Sequence, residues 1–338
     1  MSNPLIIIAI SPDLIEELRL DQQVQPLRKL ARIEFWSGSG NPPMEYVSDA
    51  CRRAQILMTG WGTPSLQSAL KNWDPEFSSL RLIAHTAGSI KTLIAPEAMQ
   101  RGLIVVNAND ALAEAVAEFT FASIFAMRRQ MLQAAIILKM RREIHRPYRM
   151  MHELNGSTIG VIGLGAIGRR LIQLLQPWNV TILLADPYCS PEQARQSGAH
   201  ELTGLDELLE RSDIVSLHAP VTPTTIGMLG RREFSRMKSG ALFINTARGK
   251  LIDHTALLAE LRTGRIDALL DVTDPEEPLP PDSPFYELDN CVILPHIAGH
   301  SWETRLRQAT YCIEDILRFL NGQPLQRAVD VRRWDQIA

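Results

Sequence analysis

Short apolar runs recur along this chain at the length of strands, and stretches of helical periodicity separate them. The runs are LIIIAI, RIEFW, QILMTG, LRLIAHTA and LIVVNA, then TIGVIG, VTILLAD, IVSLHA, ALFINTA, DALLDVT and VILPH. Each is nearly continuous in hydrophobic residues rather than alternating, the pattern of strands buried on both faces of a parallel sheet. The intervening segments carry helix-start signals; in SPDLIEEL, Ser11 is placed to cap and Pro12 to open the first turn. Eleven such strands in 338 residues fit two doubly wound α/β units better than one. No internal period is visible, so a solenoid is excluded.

Hydrophobic residues make up 45% of the chain and charged residues 22%, the balance of a globular protein. The net charge of -3 contains no long run of one sign, which argues against a nucleic-acid surface. Cys51, Cys189, Cys291 and Cys312 are far apart and form no C-x-x-C, so neither a disulfide framework nor a metal site is indicated. The six-residue apolar run near the N-terminus has no basic segment before it and reads as a strand rather than a signal peptide, giving a cytoplasmic expectation.

Between the two sets of strands lies NDALAEAVAEFTFASIFAMRRQMLQAAIILKMRRE, a long, mostly apolar helical stretch. Glu114, Glu118, Arg128 and Arg129 interrupt any window long enough to cross a bilayer, so no membrane partner is expected. A helix apolar around much of its girth must still be covered. Burial between the domains is one expectation, and a homodimer interface through the second domain is another.

TIGVIGLGAIGRRLIQLL contains G-x-G-x-x-G at Gly163, Gly165 and Gly168, directly after a strand and opening a helix. That context makes the pattern informative. Gly163 permits the tight turn, Gly165 lets the backbone approach a pyrophosphate, and Gly168 lets the helix pack closely on the strand. The N–H groups of the opening turn, at Ala166 and Ile167, then face the phosphates. Eighteen residues past Gly168, Asp186 ends VTILLAD, where an acid hydrogen-bonds the adenine ribose. With no arginine directly after it, a 2′-phosphate would meet negative charge, so NAD is expected over NADP.

Exchange of hydride between nicotinamide and a hydroxy acid needs a cation for the carboxylate and the C2 oxygen. It also needs an acid/base for the hydroxyl proton and a partner that tunes that acid/base. Arg248 follows FINTA, Glu276 follows LLDVTDP and His296 follows VILP, all at strand ends that a doubly wound sheet places along its carboxyl edge. Arginine reads a carboxylate bidentately and stays charged. Histidine titrates near neutrality, and an adjacent carboxylate stabilises the imidazolium. His218 in SLHAP also ends a strand and is expected to orient the loop beside the cofactor. His85, His254 and His300 read as structural or exposed.

The stretches VIGLGAIGRR, SDIVSLHAPVTPTT, MKSGALFINTARGKLID, ALLDVTDPEEPLPPDSPFYELDN and ILPHIAG make the chain resemble a D-isomer-specific 2-hydroxyacid dehydrogenase. They stand in that family's order and cover most of residues 155–300. The resemblance implies Arg248, Glu276 and His296 as the active site. It implies a flavodoxin-like substrate domain over residues 1–106 plus 300–338 and a Rossmann NAD-binding domain over 107–299. It further implies that His218, Ala219, Pro220, Thr246, Ala247, Arg248, Asp271, His296, Ala298 and Gly299 line the cofactor. A small 2-hydroxy or 2-keto acid is the implied substrate. The alternatives are an NAD-sensing binding module of the same fold and a relative acting on formate or phosphite.

The chain departs from that pattern in three places. Two glutamates, Glu276 and Glu277, stand where one is usual; counting from Asp271 selects Glu276, with Glu277 as the alternative. HTAGSIK replaces a Gly-x-Gly-x-Asp loop, leaving Ala87, Gly88 and Ser89 to cradle a substrate carboxylate and Lys91 in place of an acid. RPYRMMHEL lacks the tryptophan often found before the cofactor domain.

Overall fold

The computed structural model describes residues 3–142 and 151–336. The third departure falls mostly on 143–150, outside the described residues. The chain divides into two compact units, Met1–Leu112 with His300–Ala338, and Ala113–Gly299. The first segment ends six residues beyond the 106 that the resemblance implied. Ala108 and Ala111 belong to the first core, packed with Ile6, Met58 and Ala84, so the chain leaves that core only after them.

In the first unit, strands β1 (Leu5–Ala9), β2 (Arg32–Phe35), β3 (Ile56–Thr59), β4 (Leu82–His85) and β5 (Ile104–Asn107) form one sheet in the order β2-β1-β3-β4-β5. All pairs are parallel, and the order is that of flavodoxin-like sheets. The inner strands β1, β3 and β4 are buried at every residue, which is why their sequences read as unbroken apolar runs. Edge strand β2 alternates less cleanly, with Arg32 exposed. Ser11 caps the helix Pro12–Glu17, its hydroxyl accepting from the Leu14 N–H at 3.4 Å. The helix Trp302–Leu320 buries Ala309, Cys312, Ile313 and Ile316 against the face of β1, β3 and β4. Its buried Asp315 is neutralised by Arg327 at 3.3 Å and accepts from the Gln326 N–H at 2.7 Å. The tail then bridges Ala328 to Val106.

In the second unit, β6 (Thr158–Ile162), β7 (Thr181–Ala185), β8 (Glu201–Leu202), β9 (Ile214–Leu217), β10 (Leu242–Asn245), β11 (Asp267–Leu270) and β12 (Cys291–Ile293) are all parallel. Their order is β12-β11-β10-β9-β6-β7-β8, the Rossmann order extended by one strand. β8 escaped the sequence reading because it is two residues long, one of them the exposed Glu201. The chain steps outward from β6 to β7 and β8, then returns to β9 on the other side of β6. This reversal opens a crevice outside the carboxyl ends of β6 and β9.

The long helical stretch is two helices, Asn109–Arg128 and Met131–Arg141. Gln130, at φ 51°, breaks them apart. Among the described residues no helix is long and apolar enough to cross a membrane.

Candidate active site

At the β6/β9 crevice the three motif glycines differ in what requires them. Gly163 has φ 97°, and a Cβ there would lie 2.9 Å from the backbone carbon and oxygen of His218. At Gly168 a Cβ would lie 2.2 Å from the Gly163 oxygen. Both are demanded by the protein itself. Gly165 is not: its φ of -73° suits any residue, and a Cβ would meet nothing within 4 Å. The cradle is open toward something outside the chain. Helix Ala166–Leu175 starts there with no side-chain cap, leaving the N–H groups of Ala166, Ile167 and Gly168 for an anion. These residues fit a dinucleotide pyrophosphate.

Asp186, directly after β7 and expected at the ribose, holds two backbone N–H groups. Its Oδ2 accepts from the Leu164 N–H at 2.8 Å, and its Oδ1 from the Tyr188 N–H at 2.8 Å. The carboxylate thus braces the glycine loop. Beyond β9, His218 is buried, with Nε2 2.8 Å from the Ser216 hydroxyl and Nδ1 without a partner. Burial pushes its pKa down to about 4, so the ring is neutral near pH 7 and is no proton donor there. Ala219 is buried beside it, and the Pro220 carbonyl accepts from the Thr225 hydroxyl at 2.6 Å.

The loop after β10 is held by a side chain the sequence reading passed over. Asn245 is fully buried; its Oδ1 accepts from the Ala247 N–H at 3.0 Å and its Nδ2 donates to the Arg248 carbonyl at 3.0 Å. Thr246 is tied to Thr120 on the helix Asn109–Arg128, hydroxyl to hydroxyl at 2.9 Å. Gly249 is glycine because a Cβ would lie 2.2 Å from the backbone of Thr273, where the loop after β11 crosses. Arg248 donates to its neighbour's carbonyl, Ala247 O, at 2.6 Å. Although the residue is exposed, enough protein surrounds the guanidinium for desolvation to lower its pKa, and the charge of Glu277 opposes that shift.

That carboxylate is the main correction to the sequence reading. Glu277, not Glu276, faces the histidine: its Oε2 lies 2.7 Å from His296 Nδ1. The loop's hydrogen bonds explain why. The Thr273 hydroxyl donates to the Glu276 carbonyl at 2.6 Å, while the Thr273 N–H donates to Glu277 Oε1 at 3.0 Å. The loop therefore folds back on Thr273; both glutamates are exposed, and it is Glu277 that reaches His296. Counting from Asp271 could not register this reversal.

His296 itself has φ 55°, a left-handed conformation that non-glycine residues rarely hold without support. Asp271 supplies that support. Its carbonyl accepts from the His296 N–H at 2.9 Å, and its buried carboxylate accepts from the N–H groups of Ile297 and Ala298 at 2.8 Å each. Its carboxylate is thus committed to the loop that runs through Ala298 to Gly299.

In the first unit, Ala87 and Gly88 are buried and Ser89 is half-buried at the carboxyl end of β4. The Ala87 carbonyl accepts from the Ala108 N–H at 3.0 Å and the Gly88 carbonyl from Asn107 Nδ2 at 2.9 Å. The Ser89 hydroxyl accepts from the Lys91 N–H at 3.4 Å. His85 is buried against the Thr59 hydroxyl at 2.9 Å, and burial lowers its pKa to about 4. His254 packs edge-on to Phe285, and His300 is exposed.

Residues 121–298 match the model of the D-isomer specific 2-hydroxyacid dehydrogenase NAD binding domain. The chain is 36% identical to a glyoxylate reductase of Korarchaeum cryptofilum over 308 residues, covering 88% of this chain and 91% of that one. It is 35% identical over 254 residues to a D-3-phosphoglycerate dehydrogenase of Archaeoglobus fulgidus, covering 75% of this chain and 48% of the other. The chain spans about half the length of the phosphoglycerate dehydrogenases it matches. A glyoxylate reductase from Paecilomyes thermophila shares the fold, with a TM-score of 0.81 and 23% identity, covering 98% of this chain and 100% of that one. The glycine cradle, the Arg248 loop and the His296–Glu277 pair lie within or at the edge of the matched segment, and by sequence the chain belongs to the D-isomer specific 2-hydroxyacid dehydrogenase family.

Proposed function

We propose that this protein is an NAD-dependent oxidoreductase that interconverts a D-2-hydroxy acid and the corresponding 2-keto acid. The observation that carries the reading is the His296–Glu277 pair at 2.7 Å, on loops beside the Arg248 strand end. Gly163, Gly165, Ala166, Ile167 and Gly168 hold the pyrophosphate and Asp186 the ribose. When bound, the nicotinamide supplies or accepts hydride at C2. Arg248 binds the carboxylate and polarises the C2 oxygen. His296 gives a proton to that oxygen in reduction and takes it back in oxidation. Glu277 accepts the Nδ1 hydrogen, which orients the ring and leaves Nε2 as the proton-transferring atom. Ala87, Gly88 and Ser89 are assigned to substrate binding.

The test is oxidation of NADH by a panel of 2-keto acids, including glyoxylate, hydroxypyruvate and pyruvate. Turnover of at least one is expected; binding of NADH without turnover of any would point to a sensing module instead. Run with NADPH, the same assay should show roughly a hundredfold lower kcat/KM, because like charges brought together cost several kcal/mol. Asp186→Ala should narrow that gap, and equal use of both cofactors by the parent would refute the role of Asp186.

The helix Met131–Arg141 leaves Met131, Ile136, Leu138 and Met140 exposed, and a second copy of the chain is the occupant we assign to them. A sedimentation mass of one chain would rule this homodimer out. Four free cysteines fit a reducing compartment such as the cytoplasm.

A further inference from the structure

The first unit carries a fixed apolar knob and an open socket side by side. Among the described residues, Phe77 is the most exposed large hydrophobic side chain, at 87%, where such a ring is normally covered. Its turn, 74–78, is nonetheless held. The Ser78 N–H donates to the Asp74 carbonyl at 2.8 Å, and the Glu76 N–H donates to Asp74 Oδ1 at 2.8 Å. Arg81 grips the turn from outside, donating from Nη2 to the Pro75 carbonyl at 2.9 Å and from Nη1 to the Ser78 carbonyl. A ring presented on a preordered turn loses little further freedom when it is covered.

The socket is a cavity of about 340 Å³. A dry cavity of roughly 150 Å³ already holds a benzene ring. Buried Leu70 and Ala98 line it, together with exposed Lys71, Glu97 and Arg101. Arg101 ties the socket to the turn: its Nε donates at 2.8 Å to the carbonyl of Trp73, which directly precedes the turn, and its Nη2 donates to the Lys71 carbonyl at 3.0 Å. The Lys71 ammonium has no partner among the described residues, and two cations stand there against one carboxylate. Glu76, next to Phe77, carries the opposite charge, is exposed and is likewise without an ion-pair partner among the described residues.

We infer that Phe77 of one copy of the chain seats in this cavity of a second copy, with Glu76 against Lys71. The contact is distinct from the one assigned to the helix Met131–Arg141. A second copy is the occupant because the knob and the socket match in charge and size and adjoin one another, so a twofold axis satisfies both pairs at once. Two such insertions form a small interface of the weak class, and the association depends on concentration.

The test is sedimentation equilibrium of the full chain between about 1 μM and 1 mM, the range of weak interfaces. The parent's weight-average mass should rise across this range. Phe77→Ala should move the rise to at least about tenfold higher concentration, the loss of one covered aromatic anchor. Lys71→Glu should weaken the association in the same way, and adding Glu76→Lys to it should restore the parent's curve. All three side chains are exposed, so each variant should unfold at the parent's temperature. A parent mass independent of concentration, or a rise that Phe77→Ala leaves in place, would overturn the contact; the second outcome would assign the rise to the helix Met131–Arg141. A Lys71→Glu defect that Glu76→Lys deepens would overturn the pairing of the two.

Discussion

At the level of single residues, geometry sets Glu277 and not Glu276 against His296, and substitution tests which of them serves the reaction. Glu277→Gln removes the carboxylate 2.7 Å from Nδ1 and should lower kcat for reduction by up to about 10² with NADH affinity retained, while Glu276→Gln should leave kcat near the parent's. The reverse pattern would reassign the pair. His218 is a poor candidate for the acid, because burial pushes its pKa down to about 4. The positions of Arg248 and His296 just beyond the ends of β10 and β12 were legible from the sequence. The choice between adjacent glutamates was not, because it depends on how Thr273 turns the loop back, and no spacing encodes that. Asn245 and Asp271 were visible in the sequence, but their work is done on backbone N–H and C=O groups that no pattern of side chains reveals.

At the level of elements, strand runs buried on both faces declared themselves, whereas the two-residue β8 and the break at Gln130 did not. Long apolar periodicity reads as one helix even where a single left-handed residue divides it. The glycine motif was read with three separate roles, and the structure separates them by steric demand. Gly165→Ala introduces a methyl into open space, so folding stability should change by less than about 0.5 kcal/mol while NADH affinity falls. Gly168→Ala drives a methyl onto the Gly163 carbonyl and should cost about 1–3 kcal/mol of stability as the helix is pushed off the strand. Thermal unfolding and NADH titration of the two variants check this. Equal destabilisation of both would mean that Gly165 is required by the fold and not by the ligand.

For the whole molecule, each unit buries a neutral histidine, His85 in the first and His218 in the second, each with its pKa lowered from 6.5 to about 4. The unfolded chain binds protons at both near pH 6.5, and the folded chain does not. Stability is thus fully present above that pH and is lost as pH falls toward 4, by up to roughly 3 kcal/mol per histidine. Urea unfolding between pH 7 and pH 4.5 should show the loss, with His218→Asn reducing the slope for the second unit; a slope unchanged by that substitution would mean His218 is not held neutral. The central claim concerns the reacting proton. Its most direct test is kcat for NADH-dependent reduction of a turned-over 2-keto acid by His296→Ala, set beside NADH affinity. A fall of about 10²–10⁴ in kcat with NADH binding retained is the expected result. Turnover at the parent's rate, or an equal fall caused by His218→Ala alone, would contradict it.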